Sequence, residues 1–301
     1  MISIIPELNG QEERVLYIIG NGFDLNHNIP SRYRDFYYWL KEKDPKYEEF
    51  ANDMQTIFHE LNNEESTLWS NFEKALGQYD VDKIYKYYYR SPDNLSSENK
   101  YEIAGEKVVS KVRNVSELIR PLMTLWAKQI DLSHVMPKLQ LAKQSYYFTF
   151  NYTKVLEDVY NISPKHICHI HGCVDHVGEL VTGHDSFLST NNLNADCEEE
   201  EMAKQKIVRE MNRLAKDQNS QIEKHKLFFL SLPSVSHVVV IGHSLANIDL
   251  QYFGKILSII PHDAKWYFST HLQSDNERII QVVKLTKHHP KCIHNYQTFK
   301  I

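Results

Sequence analysis

Short runs of apolar residues recur along the chain, and each run is bounded by residues that favour turns. Four runs are almost continuously apolar and a fifth alternates with polar positions; they cover residues 15–19, 145–150, 237–241 and 265–269, with the alternating run at 165–170. Strands that are apolar on both faces are typical of a parallel sheet covered by helices. The pattern therefore predicts an α/β fold with a mostly parallel sheet flanked by helices.

Long amphipathic stretches separate these predicted strands, and aromatic residues and leucines recur in them at helical spacing. The interval between Gly22 and Phe148 is too long for a single crossover helix. We therefore predict one domain over residues 1–301 that carries a large helical insertion at 31–143. A second stretch, residues 190–232, is highly charged and predicts a solvated helical insertion.

The composition is that of a folded globular protein, since 42% of the 301 residues are hydrophobic. The formal net charge of -5 gives no broad attraction for nucleic acid or an anionic membrane, so we expect neither as a partner. The four cysteines include no C-x-x-C pair, which favours a reducing compartment. No basic leader and no bilayer-spanning apolar run is evident. These features predict a cytoplasmic location.

The first predicted strand runs into the glycine turn Gly20-Asn-Gly-Phe-Asp24. Glycines in such a turn let the backbone approach a phosphate closely, as in dinucleotide-binding proteins. The third glycine of that fingerprint is absent, because Leu25 stands in its place, and no acidic residue ends a second strand about 20 residues later. Two interpretations stay open for the turn alone: a nucleotide loop, or an ordinary strand-to-helix turn that uses glycine for positive φ.

The residues after the turn resemble the sirtuin signature. Ile29-Pro30 lies at the same offset from the two glycines, with Asp24 in the position of the sirtuin Ser and Asn28 in that of the third Gly. Three later stretches follow in sirtuin order: Thr149-Phe-Asn-Tyr-Thr153, His171-Gly172 and Gly242-His-Ser-Leu245. Each falls at the end of a predicted strand, where ligands bind in open α/β sheets.

The chain as a whole is identified as a member of the AbiH family of phage abortive-infection proteins, on motifs that span nearly its whole length. The motifs are Ile19-Gly-Asn-Gly-Phe-Asp-Leu-Asn-His27, Leu68-Trp-Ser-Asn-Phe-Glu73, Phe148-Thr-Phe-Asn-Tyr-Thr153, His169-Ile-His-Gly172, Gly183-His-Asp185 and Ile241-Gly-His-Ser-Leu-Ala-Asn-Ile-Asp249. This resemblance implies phage defence and a sirtuin-like, Rossmann-like fold of the NAD-binding type. It implies much less about the reaction.

Two departures from the sirtuin pattern bear on that reaction. The aspartate that ends the sirtuin motif Thr-Gln-Asn-Ile-Asp, and that contacts nicotinamide there, is Thr153 in this chain. The zinc-binding cysteine pairs of protein deacetylases are absent. Deacetylation of peptides is therefore not expected, whereas cleavage and binding of a nucleotide both stay open.

The histidine-rich stretch His166-Ile-Cys-His-Ile-His-Gly-Cys173 raises the question of a metal site. Strand alternation places His169 and His171 on one face, with the cysteines pointing away or lying past the turn. No spacing matches a structural zinc site, so we expect no metal. We expect His169 to be a packed or hydrogen-bonded partner and His171 to face the ligand.

The leading hypothesis is an NAD glycohydrolase that cleaves the nicotinamide–ribose bond. By resemblance, His171 is the catalytic base and Asn151 orients the ribose or the attacking water. The other expected ligand contacts are Gly20, Asn21, Gly22 and Phe23 at the pyrophosphate, Asp24 at the ribose or holding His27, Thr149 and His184 at the site, and Gly242, His243, Ser244 and Asp249 at the adenosine end. Glu73 is expected either to pair with an arginine such as Arg32 or Arg34, or to enter the site.

Two alternatives remain open. One is a regulatory module that binds NAD or ADP-ribose without cleaving it, which Thr153 favours. The other is a nuclease component that uses the helical insertion, where basic and aromatic residues alternate irregularly at residues 83–90. The net charge argues instead for an ordinary amphipathic helix at that segment. A second copy of the chain or another defence protein is a candidate partner.

Overall fold

The computed structural model describes residues 2–3, 14–58, 72–90, 100–175, 180–184, 187–191, 193–286, 293 and 296–300. Two parts of the sequence motifs, residues 68–71 and Asp185, lie outside these ranges. The chain divides into two compact units. The first comprises Met1–Ser31, Ala127–Leu180 and Asp217–Ile301, and the second comprises Arg32–Trp126 and Val181–Lys216.

A six-stranded sheet forms the centre of the first unit. Its strands are β2 (Val15–Ile19), β4 (Tyr146–Thr149), β5 (Ile167–His169), β6 (His237–Ile241), β7 (Lys265–Thr270) and β8 (Tyr296–Lys300), while β1 (Ile2–Ser3) and β3 (Leu139–Gln140) form a separate pair. The strand order is β5-β4-β2-β6-β7-β8, and neighbouring strands run parallel. The predicted α/β fold with a mostly parallel sheet is confirmed, and β8 adds an edge strand that the apolar pattern did not predict.

Helices connect the strands and make up the second unit. In chain order they are α1 (Asn21–Asn26), α2 (Tyr33–Lys43), α3 (Pro45–Ile57), α4 (Phe72–Gly77), α5 (Val81–Tyr89), α6 (Lys100–Ala127), α7 (Glu198–Asn212), α8 (Gln218–Lys224), α9 (Lys226–Leu230), α10 (Leu250–Ile259) and α11 (Gln273–Thr286). A π-helix (Val155–Val159) and two 3₁₀ helices (Pro164–His166 and Asn247–Asp249) complete the first unit. Across the described ranges, none of the helices combines the length and the apolar character needed to cross a bilayer.

Alternate residues of β2 enter two different hydrophobic cores. Leu16 and Ile18 belong to the core on one face of the sheet, and Val15, Tyr17 and Ile19 belong to the core on the other. All five side chains are buried. The strand is thus covered on both faces, which explains why its sequence is continuously apolar.

The second unit is helical, and its core combines apolar packing with a buried cation. Phe36 of α2, Phe50 of α3 and Val112 of α6 are buried. The side chain of Lys204 in α7 is only 2% exposed, and its ammonium group lies 2.7 Å from a carboxylate oxygen of Glu200. A buried ammonium group is tolerated because it is paired.

The sheet is doubly wound about β2. From β2 the chain first adds β4 and β5 on one side, and later β6, β7 and β8 on the other. The winding direction reverses between β2 and β6. Ligands of open parallel sheets bind beyond the carboxyl ends of the strands at such a reversal, so the segments that follow β2 and β6 are the first candidates for a site.

Candidate functional site

Most of the predicted site residues follow the carboxyl ends of β2, β4, β5 and β6. Ile19 pairs with Thr149 on one side and with Ile241 on the other, and Thr149 pairs with His169. The segments after these four residues therefore lie side by side at one edge of the sheet, which we call the carboxyl edge. They contain residues 20–27, Asn151, His171, residues 242–244 and Asp249.

The glycines of the turn join the ends of β2 and β6. A Cβ atom at Gly20 would lie 2.5 Å from the Cα of His243, and one at Gly22 would lie 2.7 Å from the Cα of Gly242. Gly242 itself has a φ of +64°, and its Cβ would lie 2.2 Å from the backbone nitrogen of Phe23. Glycine is required at these positions because two backbones touch there.

Three amide groups of the turn are bonded inside the protein. The amide of Gly20 donates to the carbonyl oxygen of Ile241 at 2.9 Å, and that of Gly22 donates to Gly242 at 2.7 Å. The amide of Phe23 donates within the turn, to Gly20, at 2.9 Å. A phosphate cradle needs amide hydrogens that are free to face the anion. Three of the four amides that were expected to cradle the pyrophosphate therefore donate within the protein in this conformation.

The side chains of the turn also make contacts within the first unit. Phe23 is fully buried in the core that contains Tyr17 and Ile19. The amide nitrogen of the Asn21 side chain donates to the carbonyl oxygen of Ser31 at 3.1 Å, and its oxygen accepts from the Ser31 hydroxyl at 2.6 Å. These contacts fix where α1 begins and how the chain leaves it.

Asp24 is the centre of a buried hydrogen-bond network. Its carboxylate accepts from the Nδ2 atom of Asn151 at 2.8 Å and from the hydroxyl of Thr153 at 2.6 Å. Asp24 is only 1% exposed. Burial raises the pKa of Asp24 to about 6, although the hydrogen bonds from Thr153 and Asn151 act in the opposite direction. The carboxyl group thus titrates close to neutral pH, far from its ordinary range.

The Asn151 side chain is oriented by two acceptors. Its Nδ2 atom donates to Asp24 and also to the carbonyl oxygen of Gly20 at 3.2 Å, so the amide has one orientation. Its backbone amide donates to the hydroxyl oxygen of Thr149 at 3.1 Å. Its Oδ1 atom is buried and has no hydrogen-bond partner among the described residues. An unpaired buried acceptor costs about 1–3 kcal/mol, which makes this atom the natural point of contact for a donor.

His171 lies against aromatic rings at the same edge. Its ring centroid is 5.2 Å from that of Phe150 and 5.8 Å from that of Tyr252, both in edge-on geometry. The following residue, Gly172, has a φ of +83° and turns the chain. His171 is buried, with 4% of its surface exposed. The packing fixes the plane of the imidazole ring.

His243 is held by its two ring nitrogens. The amide of Leu245 donates to Nδ1 at 2.9 Å, so the proton of the neutral ring is on Nε2, which lies 3.4 Å from a carboxylate oxygen of Asp249. The ring packs edge-on against Phe150 at 4.3 Å. Ser244, between these residues, is exposed. His243 and Asp249 therefore form a fixed pair beside the glycine turn.

His27 is bonded to the protein on both sides of its ring. Nδ1 donates to the carbonyl oxygen of Phe23 at 2.7 Å, and Nε2 accepts from the hydroxyl of Tyr160 at 2.7 Å. Burial lowers the pKa of His27, so the ring is held in its neutral form. The side chain of Asp24, which was expected to bind the ribose or to hold His27, is bonded to Asn151 and Thr153.

His169 belongs to a second cluster, together with Glu157 and Cys173. The ligand atoms of the three side chains all lie within 4.8 Å of one another. Burial lowers the pKa of His169, but hydrogen bonds to Cys173 and Glu157 outweigh this effect and raise it to about 10. Cys173 lies past the turn at Gly172, as the sequence predicts, but this turn returns the chain toward His169. A position past the turn therefore does not separate Cys173 from His169.

Two further predicted residues belong to the second unit. His184 is 1% exposed, and its Nε2 donates to the carbonyl oxygen of Met211 at 3.1 Å. Glu73 lies 2.5 Å from the ammonium nitrogen of Lys216 and accepts from the hydroxyl of Tyr33 at 3.2 Å. Both residues make these contacts with other residues of the helical unit.

Sequence reasoning missed three residues that support the site. Thr153 is a departure from the sirtuin pattern in the sequence, and in the structure its hydroxyl bonds Asp24. Tyr160 and Glu157 belong to no motif of the sequence, and they bond His27 and His169. Both lie in or next to the π-helix after β4, a segment whose short polar-apolar sequence carries no motif.

Comparison with known proteins agrees with the sequence motifs. A family model described as bacteriophage abortive infection AbiH matches residues 16–270. The match runs from within β2 to the end of β7, so it includes the whole carboxyl edge. Comparison with curated proteins and with solved structures finds no match.

Proposed function

Because the chain belongs to the AbiH family of bacteriophage abortive infection proteins, we propose that it cleaves NAD between nicotinamide and ribose during phage infection. The proposed site is the carboxyl edge of the sheet, at the reversal of winding between β2 and β6. Depletion of NAD would arrest the metabolism of the infected cell, which is an outcome suited to abortive infection.

The buried Oδ1 atom of Asn151 is the observation that carries the proposal. Asp24 and Gly20 fix the amide so that this acceptor is directed away from both of them. It has no partner in the described part of the chain, and a ribose hydroxyl or an attacking water is a donor of suitable size. Asp24 acts through Asn151 and is therefore a positioning residue.

The chemistry assigns a separate role to His171. Cleavage of a glycosidic bond passes through an oxocarbenium-like state, and a water or hydroxyl must attack on the face opposite the leaving group. Imidazole suits the role of general base at neutral pH. His243 and Asp249 form a fixed pair at one side of the proposed site. Ser244 is exposed and is proposed to contact the adenosine end of NAD.

Purified protein incubated with NAD tests the proposal through the release of nicotinamide, followed by liquid chromatography. Asn151→Ala and His171→Ala are each expected to lower the rate by about 100-fold or more. His166→Ala is the matched control, because His166 precedes β5 at its opposite end and bonds the carbonyl oxygen of Ser145 at 3.2 Å. Turnover that is unchanged in both site variants would remove this mechanism.

A second candidate function is binding of NAD or ADP-ribose without cleavage. It is favoured by Thr153, which stands where sirtuins have the aspartate that contacts nicotinamide. The hydroxyl of Thr153 donates to Asp24 at 2.6 Å. Calorimetric titration with NAD separates the two functions: binding that is lost in Asn151→Ala, with no nicotinamide released by the wild type, supports the sensor.

A further inference from the structure

Three side chains with metal-binding atoms meet next to the carboxyl edge. Glu157 lies on the π-helix, His169 ends β5, and Cys173 follows the turn at Gly172. Their ligand atoms lie within 4.8 Å of one another. Cys173 is 2% exposed, and the side chains of His169 and Glu157 are 3% and 9% exposed. The cluster is therefore withdrawn from water and is not a group of surface charges.

The hydrogen bonds of His169 demand a cation on one side of its ring. Nδ1 lies 3.0 Å from the carbonyl oxygen of Asn151, which only accepts, so the Nδ1 proton is directed there. Nε2 then faces a carboxylate oxygen of Glu157 at 2.9 Å. Two lone pairs do not approach so closely unless a positive centre lies between them. That centre is either a proton or a metal ion.

The second oxygen of Glu157 distinguishes these two arrangements. Its Oε2 atom is buried and has no hydrogen-bond partner within the described residues. A proton between His169 and Oε1 leaves Oε2 unsatisfied, at a cost of about 1–3 kcal/mol. A metal ion can bind both oxygens of Glu157 and also reach the Cys173 sulfur, so it would satisfy the whole cluster.

We propose that Glu157, His169 and Cys173 bind a zinc ion. Carboxylate oxygen, imidazole nitrogen and thiolate sulfur together are ligands typical of zinc, whereas magnesium and calcium prefer oxygen alone. The bond from Nδ1 of His169 to the carbonyl oxygen of Asn151 is the outer contact that orients histidine ligands of metals. Three protein ligands leave one tetrahedral position for water.

The rearrangement that zinc binding requires of His169 and Glu157 is small. Zinc ligands at about 2.0–2.3 Å from the ion lie roughly 3.3–3.6 Å apart in a tetrahedron. Nε2 of His169 and Oε1 of Glu157, now 2.9 Å apart, must separate by roughly 0.4 Å. Binding exchanges Zn²⁺ for two protons, one from the imidazolium of His169 and one from the thiol of Cys173. The buried cluster is thus neutral before and after the exchange.

The ion would act on the neighbouring site through the backbone. It fixes His169, and His169 bonds the carbonyl oxygen of Asn151, the residue whose side chain has the unpaired acceptor. This zinc site stands independently of NAD cleavage. It would hold the segment after β4 in place whatever ligand the carboxyl edge takes.

Metal analysis of the untagged full chain tests the proposal. After expression in zinc-supplemented medium and gel filtration, mass spectrometry of the metals is expected to find one zinc per chain. Cobalt bound in place of zinc is expected to show the charge-transfer absorption of a thiolate–cobalt bond. Cys173→Ser should abolish this absorption and reduce the zinc content to background.

Two further variants keep the test decisive. Cys168→Ala is the matched control, because Cys168 is equally buried on the same strand as His169 but belongs to the opposite core; it should retain one zinc and the absorption. Glu157→Gln preserves the shape of the side chain and should weaken zinc binding while circular dichroism stays unchanged. Wild-type protein without zinc, or a Cys173→Ser variant that keeps the cobalt–thiolate band, would overturn the site.

Discussion

Replacement of Asp24 by Asn removes a buried charge and keeps the shape of the side chain. In the variant, the amide oxygen accepts from Asn151 and the amide nitrogen donates to the hydroxyl oxygen of Thr153, so both contacts of the carboxylate have counterparts. The two proteins then differ mainly in the cost of ionising a carboxyl group away from water. The Asp24→Asn variant is therefore expected to be the more stable of the two at neutral pH.

The pKa of Asp24 sets the magnitude of this effect. Burial raises it from 3.8 in the unfolded chain to about 6 in the folded protein. The folded state holds the proton more tightly, so this stabilising contribution is complete below the unfolded pKa and is lost as pH rises through the folded pKa. A pKa difference of about 2.2, at 1.36 kcal/mol each, amounts to about 3 kcal/mol over the whole titration. Between about pH 4.5 and about pH 8 the same two values give about 2 kcal/mol.

Urea unfolding of both proteins, followed by circular dichroism, measures the effect. The free energy of unfolding of Asp24→Asn minus that of the wild type should grow by about 2 kcal/mol from about pH 4.5 to about pH 8. Asp158→Asn is the control for the same substitution at a carboxylate that water reaches, since the Asp158 side chain is 49% exposed. A difference for Asp24→Asn that does not change with pH would refute the reasoning.

Three further substitutions test the packing of the chain by urea unfolding. Gly242→Ala should lower the free energy of unfolding by more than about 2 kcal/mol, because φ is +64° and the Cβ would meet a backbone nitrogen; stability equal to the wild type would contradict the backbone contact. Tyr160→Phe should lower the free energy of unfolding by about 1–3 kcal/mol. Nε2 of His27 loses its donor at 2.7 Å, and two backbone amides lose the hydroxyl oxygen that accepts from them; a neutral effect would show that these bonds are dispensable. Lys216→Met should lower the free energy of unfolding by about 3–5 kcal/mol, because it removes the buried ammonium group that lies 2.5 Å from Glu73. Glu73→Gln in the same chain should restore part of that stability.

The sheet could be predicted because its central strands are buried on both faces. Each continuous apolar run became a strand within a residue or two of its predicted bounds, as with Val15–Ile19 and His237–Ile241. Strand β8 was missed because Tyr296–Lys300 is an edge strand whose residues are mostly exposed, so its sequence carries no apolar run.

The gathering of the site at one edge could also be anticipated, because parallel strands bring their carboxyl ends together. The role of each residue at this edge could not be anticipated. Asp24 bonds Thr153, 129 residues further along the chain, and no local pattern connects a glycine turn to the end of another strand. The sequence of the turn likewise does not show that the amides of Gly20 and Gly22 donate to the end of β6 and the residue after it. Such contacts depend on tertiary packing, which local sequence does not reveal.

The most direct test of NAD cleavage is the NAD and nicotinamide content of bacteria during phage infection. In cells that express the wild-type chain, NAD is expected to fall and nicotinamide to rise after infection. Cells that express Asn151→Ala should keep their NAD, while the His166→Ala control should behave as the wild type. NAD that stays constant in the wild type, or that falls equally in Asn151→Ala, would contradict the proposed function.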